Sequence, residues 1–394
     1  MAEQATALSP ALLQDMVDEA AHFNLYSIPE RSTGEAAIRD ANGATTGFQI
    51  RERLHRFRIE TTAPSAERGM RASNTVGEPV ARFTHRWMIV PPDYVAAPDH
   101  EPEETAFDPS ASGPQRFVML DSECRFEGGE DGFRGFGTGT ILPGAAHGRY
   151  LVTAIGTILE GFGRFRGHNE GTYLYCGSFS PEHGFTGNNF LRVIDRDGAF
   201  HTDRSLPELE AWPNPEPDVT YLLFRGQAVP TDAVRPNVSP NGQPLGLIVM
   251  QGLRLLEVDC TAGGHRGTRS TWSAGQSIGE ITATVGFNPA APGGGNLDPI
   301  PFRTSDQFVF FDSDRQQLAT MQATSDEGRV FNTRVGGAQA IRFGGVGGIQ
   351  GGSDSFSGIS GLMTDNSVVV FEPHVSASIY LLRVEDPDGR YRIG

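Results

Sequence analysis

The chain repeats itself. Residues 117–123 read FVMLDSE and residues 308–314, 191 positions later, read FVFFDSD; residues 192–198 read RVIDRDG and residues 383–389, at the same spacing, read RVEDPDG. Between these anchors GFGRFRG at 161–167 answers GVGGIQG at 345–351, 184 positions on, and both fit G-x-G-x-[F/I]-x-G. Three blocks in one order, with a compensated gap of seven residues, predict a tandem duplication, so the fold has to be one that half of the chain can complete. The boundary is placed in SLPELEAWPNPEPD, residues 205–218, whose prolines and acids disfavour regular structure. That divides the chain into a first domain at 1–212 and a second at 213–394.

Within each copy the hydrophobic period is two. Phe83, His85, Trp87 and Ile89 alternate with Arg82, Thr84, Arg86 and Met88, while Tyr173, Tyr175 and Phe179 share one face of their segment. The 394 residues include 49 glycines, 26 prolines and 25 phenylalanines, and 38% are hydrophobic, which fits many short strands and turns better than disorder. One helix is expected, over 9–24, with Ser9 as N-cap, Pro10 at N1 and an apolar stripe through Leu12, Leu13, Met16, Val17, Ala20 and Ala21. It is expected to cover an end of the first unit. The predicted class is all-β: two tandem antiparallel eight-stranded barrels, with the glycine motif supplying the coiling that closes them.

Charge and residue usage exclude several chemistries. The net charge is −16 and every basic residue is arginine, so a Schiff base, a pyridoxal phosphate anchor and a P-loop lysine are ruled out. Scattered negative charge argues against nucleic acid or an anionic membrane as partner. Cys124, Cys176 and Cys260 form no CxxC, and the ten histidines show neither HxH nor HExxH spacing, so no cofactor and no metal are expected. The start, MAEQATALSP, lacks the basic and apolar regions of a leader, and no run of about 18 apolar residues follows. A cytoplasmic protein is expected, with a homo-oligomer left open.

The stretch HGRYLVTAIGTILEGFGRFRGHNEGTYLYCG, 147–177, resembles the core of the allene oxide cyclase and dirigent-protein barrels, where a strand passes through a glycine-rich turn into the next. The resemblance spans roughly 60 residues of the first copy. It implies an eight-stranded barrel with an apolar cavity, no cofactor, and steering of a reactive apolar intermediate towards one cyclised product. The cyclase family's catalytic glutamate lies on an early strand that does not align here residue by residue.

Candidate chemistry comes from the residues themselves. Asp121 and Glu123, two apart, are expected to project from the face of Phe117 and Met119, where desolvation would raise a carboxyl into acid–base range. Asp312 and Asp314 stand at the matching places of the second block, which equally fits turn acids satisfying backbone N–H groups. Tyr173 and Tyr175, aligned by the gapped register with Ser357 and Ile359, could orient or protonate an enol, or simply pack the interior. His147 and Arg149 offer a proton shuttle and an anion contact, with a solvated turn as the plain alternative. Phe117, Met119, Phe179 and Trp87 are expected to line the substrate cavity. These residues point to a cofactor-independent isomerase or cyclase acting on a small apolar natural-product or oxidised-lipid intermediate in the first copy. The alternatives are a non-catalytic dirigent-like or sugar-binding barrel, and a hydro-lyase in a similar barrel.

Overall fold

The computed structural model describes residues 9–18, 20–30, 35–94, 102–144, 148–180, 184–195, 197–202, 205–228, 234–263, 267–287, 293–295, 298–372 and 374–393. It is an all-β molecule with one short helix, α1 (Pro10–Asp18). The first copy runs β1 (Ala20–Pro29), β2 (Glu35–Arg39), β3 (Thr45–Thr61), β4 (Ala72–Val90), β5 (Gln115–Phe126), β6 (Gly132–Pro143), β7 (Tyr150–Phe162), β8 (Thr172–Ser180) and β9 (Gly184–Ile194). Its strands meet in the order β1-β9-β8-β7-β6-β5-β4-β3-β2, and a further pairing of β1 with β3 closes eight of them into a barrel. Strand β2 pairs with the start of β3 and β1 with its middle, so β1 and β2 together make one interrupted wall strand.

The second copy has the same plan: β10 (Val219–Ala228), β11 (Val234–Val238), β12 (Pro244–Thr261), β13 (Arg269–Gly286), β14 (Ile300–Phe311), β15 (Gln317–Val335), β16 (Ala338–Gly352), β17 (Gly361–Val370) and β18 (Val375–Glu385). The order is β10-β18-β17-β16-β15-β14-β13-β12-β11, and β10 pairs with β12 to complete a ring of eight strands. Each strand therefore has a counterpart nine strands on, as a duplication requires.

The ladders re-register the repeat. A single 3-10 turn, Gly163–Phe165, follows β7, and its counterpart Asp354–Phe356 follows β16. Gly163 and Asp354 both take left-handed backbone, φ +56° and +51°, so GFGRFRG matches GSDSFSG at 352–358, 191 positions on, and the seven-residue difference falls earlier, between β14 and the end of β16. The segment 345–351 lies inside β16 instead. Following the ladders, Gly161 pairs with Phe133 and that with Cys124, while Gly352 pairs with Met321 and that with Phe308. Phe308 thus stands where Cys124 does. Asp312 and Asp314 fall in the turn after β14, with the Asp314 and Gln316 amides donating to Asp312, and they do not share the place of Asp121 and Glu123.

Helix α1 is shorter than expected because Ala20 and Ala21, which continue its apolar stripe, begin strand β1. Ser9 does cap it, accepting from the Leu12 amide at 3.3 Å. It covers no end of the first barrel: Leu13 and Val17 pack with Val335, Val368, Val370 and Val375 on the second ring. Burial of two such side chains contributes roughly 3–6 kcal/mol before entropy is counted. Among the described residues no helix is long and apolar enough to cross a membrane.

The two copies face each other through β1, β3 and β8 on one side and β10, β12, β16 and β17 on the other. At the centre lies Glu216, from the connecting segment. Its carboxylate accepts from the hydroxyls of Tyr26 (2.7 Å), Ser178 (2.7 Å) and Tyr221 (3.0 Å) and from the guanidinium groups of Arg383 (2.6 Å) and Arg149 (3.0 Å). Burial alone would raise this carboxyl, yet Arg383 and the hydroxyl donors hold it below the usual range.

Candidate functional site

The inward faces of the first barrel follow from strand alternation. Phe48, Ile50, Glu52 and Leu54 point inward from β3; Phe83, His85, Trp87 and Ile89 from β4; Phe117 and Met119 from β5; Tyr173, Tyr175 and Phe179 from β8. The rings meet one another across the interior. Trp87 stacks on Phe117 with centroids 4.1 Å apart, Phe185 stands edge-on to Trp87 at 4.4 Å and stacks on Phe179 at 4.4 Å, and Tyr173 meets Phe83 at 5.8 Å. At one end Phe107 lies against Phe48 and Tyr150, with its amide bonded to the Thr45 carbonyl at 2.7 Å.

Within this aromatic interior lies a polar group that packing does not require. Glu52, wholly buried, accepts the Ser27 hydroxyl proton at 2.8 Å, and Ser27 accepts from the Asn189 amide at 2.6 Å. The His85 Nε2 lies 3.8 Å from the Glu52 carboxyl. Burial pushes the imidazole down to about 3 from 6.5, so His85 is neutral and the contact is not an ion pair. His85 Nδ1 and Trp87 Nε1 are buried with no hydrogen-bond partner among the described residues, a cost of about 1–3 kcal/mol each that core packing alone would not select. Chemically, the arrangement is a carboxyl beside a neutral imidazole in a low-dielectric interior, a pairing suited to moving a proton.

The residues singled out from sequence distribute as follows. Phe117, Met119, Trp87, Phe179, Tyr173 and Tyr175 do line this interior. Asp121 and Glu123 do not join them. A bulge between Met119 and Ser122 inserts one extra residue, with Asp121 at φ +50°, so Ser122 and Cys124 turn inward while the two acids turn out. Asp121 is 74% exposed and pairs with Arg86, and Glu123 pairs with Arg125 and Arg134, whose hydrogen bonds hold it below the usual carboxylate range. Glu123 and Arg125, with Arg53, Arg82, Thr84 and Glu127, line an outer groove of about 460 Å³.

The Tyr175 hydroxyl donates to the Thr186 carbonyl at 2.9 Å, and burial raises its pKa, as burial also raises that of Tyr173 beside Ser122. The ladder partners of Tyr173 and Tyr175 on β9 equate them with Met363 and Asp365, not with Ser357 and Ile359. Arg149 belongs to the Glu216 cluster between the copies. His147 lies outside the described residues.

Glu52 and His85 are functional candidates that no sequence motif announces, although a signal is present. In the sequence FQIRERL, Glu52 falls in phase with Phe48, Ile50 and Leu54, so a carboxylate stands on the core-facing stripe. Among the described residues no three His, Cys, Asp or Glu side chains converge as a metal site would require. No protein-family model, no curated protein and no solved structure matches this chain.

Proposed function

We propose that the first barrel is the site of a cofactor-independent isomerase or cyclase, in line with the resemblance of residues 147–177 to the allene oxide cyclase and dirigent barrels. The second copy is taken as a barrel of the same kind. The observation that carries this reading is the buried Glu52 carboxyl beside neutral His85 inside an aromatic interior. Glu52 serves as the proton donor or acceptor, kept from water by burial; His85 holds a hydrogen bond to a substrate oxygen; Trp87, Phe117 and Phe179 confine an apolar intermediate in one conformer. Entry is at the Phe107 end, where the outer edge of β2 has no strand partner among the described residues. There the Phe48, Phe107 and Tyr150 rings would have to part.

The test is turnover of a panel of apolar vinyl epoxides, read as rate and product handedness. The expected result is one enantiomer from the wild type and a loss of about 100- to 10,000-fold in Glu52→Gln, typical for removal of a general acid or base. Unchanged turnover in Glu52→Gln, or racemic product at the uncatalysed rate with the wild type, overturns it. The close contact of rings across the interior favours one competing reading, a non-catalytic scaffold. For a scaffold, Glu52→Gln would raise stability and change nothing else.

A further inference from the structure

The second ring has a different interior, and its residues can be matched to the first through the ladders. The pair Tyr175 with Asn189 becomes Asp365 with Tyr380; Ile50 with His85 becomes Val249 with Ala283; Phe48 with Trp87 becomes Leu247 with Val285; and Phe179 with Phe185 becomes Val369 with Ser376. Five ring side chains, Tyr175, His85, Trp87, Phe179 and Phe185, give way to small or polar ones. Tyr380 in place of Asn189 and Phe308 in place of Cys124 make up part of that volume.

Around this layer four neighbouring strands bring together two acids and a hydroxyl. On β14 the Thr304 hydroxyl donates to Asp306 Oδ2 at 2.7 Å. Ser325 on β15 is the ladder partner of Thr304, and its Oγ lies 2.7 Å from where a Cβ on Gly345 would stand. Gly345 on β16 is in turn the ladder partner of Asp365 on β17. Ser325 therefore sits between the two carboxyls. Asp365 accepts from Ser367, which carries a single proton and so takes that of Ser378 at 2.6 Å. Gln251 donates to Ser378 at 2.8 Å and accepts from Tyr380 at 2.9 Å. Asp306 Oδ1 and Ser325 Oγ are wholly buried and have no hydrogen-bond partner among the described residues.

No cation faces this pair from inside among the described residues. Arg225 turns out to Trp272, Arg342 to Thr157 and Thr172 of the first barrel, and Arg383 to Glu216. Arg192, on β9, reaches the outside of the wall at the Asn366 and Ala377 carbonyls and acts on Asp365 through its charge. Tyr380 is the other titratable group that feels both acids.

We propose that the interior of the second ring is a separate binding site for a small primary ammonium group, whose three N–H donors meet Asp306 Oδ1, the Asp365 carboxyl and Ser325 Oγ. An ammonium offers three donors and no acceptor; the two carboxyls can only accept once ionised, and Ser325 Oγ accepts through a lone pair while its own proton turns to a carboxylate. It also supplies the charge that two carboxyls in a dry interior lack. This does not rest on the chemistry assigned to the first barrel. Without the ligand, burial holds Asp306 at about 7 and Asp365 well above the carboxylate range, so both are largely protonated in acid. Binding the cation displaces protons to the buffer.

The experiment is calorimetry of the full chain with methylammonium chloride, in phosphate and in HEPES, at about pH 6 and about pH 8. Binding is expected to be about tenfold tighter at the higher pH, as the ionised fraction of a group titrating near 7 rises by that factor. The heats should differ between buffers below pH 7, reporting the released proton. Asp306→Asn should weaken binding at least tenfold, and Ser325→Ala several-fold without loss of fold, since that hydroxyl has no partner to lose. Absence of methylammonium binding at pH 8, equal affinity in Asp306→Asn, or equal affinity in Ser325→Ala overturns the site. Potassium chloride binding where methylammonium does not overturns the ammonium assignment. Because Glu52 lies in the other copy, Glu52→Gln should bind methylammonium as the wild type does, which separates failure here from failure of the first-barrel reading.

Discussion

Three buried carboxyls, Glu52, Asp306 and Asp365, share one trait: each occupies a position where strand alternation calls for an apolar side chain. Asp306 follows Phe302 and Thr304 and precedes Phe308 and Phe310 on one face, and Asp365 sits between Met363 and Ser367 in the same way. Burial acts on acids and histidines in opposite senses, and that yields a pH prediction. His85, pushed from 6.5 to about 3, favours its neutral form in the folded state, so stability falls as pH drops from about 6.5 towards 3. Buried His22 shifts the same way. Asp306, raised from 3.8 to about 7, contributes stability that is full below about pH 4 and is lost as pH rises through 7. Every tenfold change in proton affinity between the folded and unfolded chain is worth about 1.4 kcal/mol. Denaturant melts across the pH range should show Asp306→Asn more stable than the wild type at pH 8 by about 2–4 kcal/mol and nearly equal at pH 4. A variant no more stable at pH 8 would mean that the carboxyl is not buried as described.

At the scale of elements, strands are most legible where the sequence alternates with a period of two, as over Phe83–Ile89 of β4 and Tyr173–Phe179 of β8. Strand β1 is hidden because Ala20 and Ala21 extend the helical stripe of α1, and only pairing with β3 and β9 makes the segment a wall. The sequence reads as two strands, 267–273 and 277–286, where β13 is one, and as strands at 317–323 and 330–343 where β15 runs unbroken to Val335 and β16 then begins. The exposed run at 273–277 and the bulge near Ser325 interrupt the alternation without breaking the ladder. The β16 glycines look like a corner in sequence. In the fold, a Cβ on Gly344 would press on Ile155 at 2.6 Å, so the missing side chain lets β16 approach the first barrel. The 3-10 turn offers a direct test. Gly163 has φ +56°, and a Cβ there would lie 2.9 Å from the Asp131 amide nitrogen. Gly163→Ala should therefore cost about 1–3 kcal/mol in denaturant melts, a left-handed backbone strain with a steric clash added. The site was less legible than the fold. The bulge that turns Asp121 outward and Ser122 inward shifts every face after it by one, and no residue type between Met119 and Ser122 announces it.

For the whole molecule, the Glu216 cluster decides whether the copies unfold together. Replacing Glu216 with alanine leaves Arg383 buried without its main counter-charge and should cost about 3–5 kcal/mol. Calorimetry should show one broadened or split transition where the wild type gives one sharp transition; an unchanged melt would show the copies to be independent. The chain ends add a second bond of another sort. Helix α1, ahead of the first barrel, lies on the second ring. The last residues run the other way: the Ala72 amide of β4 donates to the Tyr391 carbonyl at 2.8 Å, and the Ile393 amide to the Ala72 carbonyl at 3.0 Å. Each half thus lends its free arm to its neighbour. Severing the backbone between 205 and 218 would consequently yield two fragments clasped in a single particle, eluting at the size of the uncut protein, and the halves could be made as separate polypeptides that reassemble on mixing.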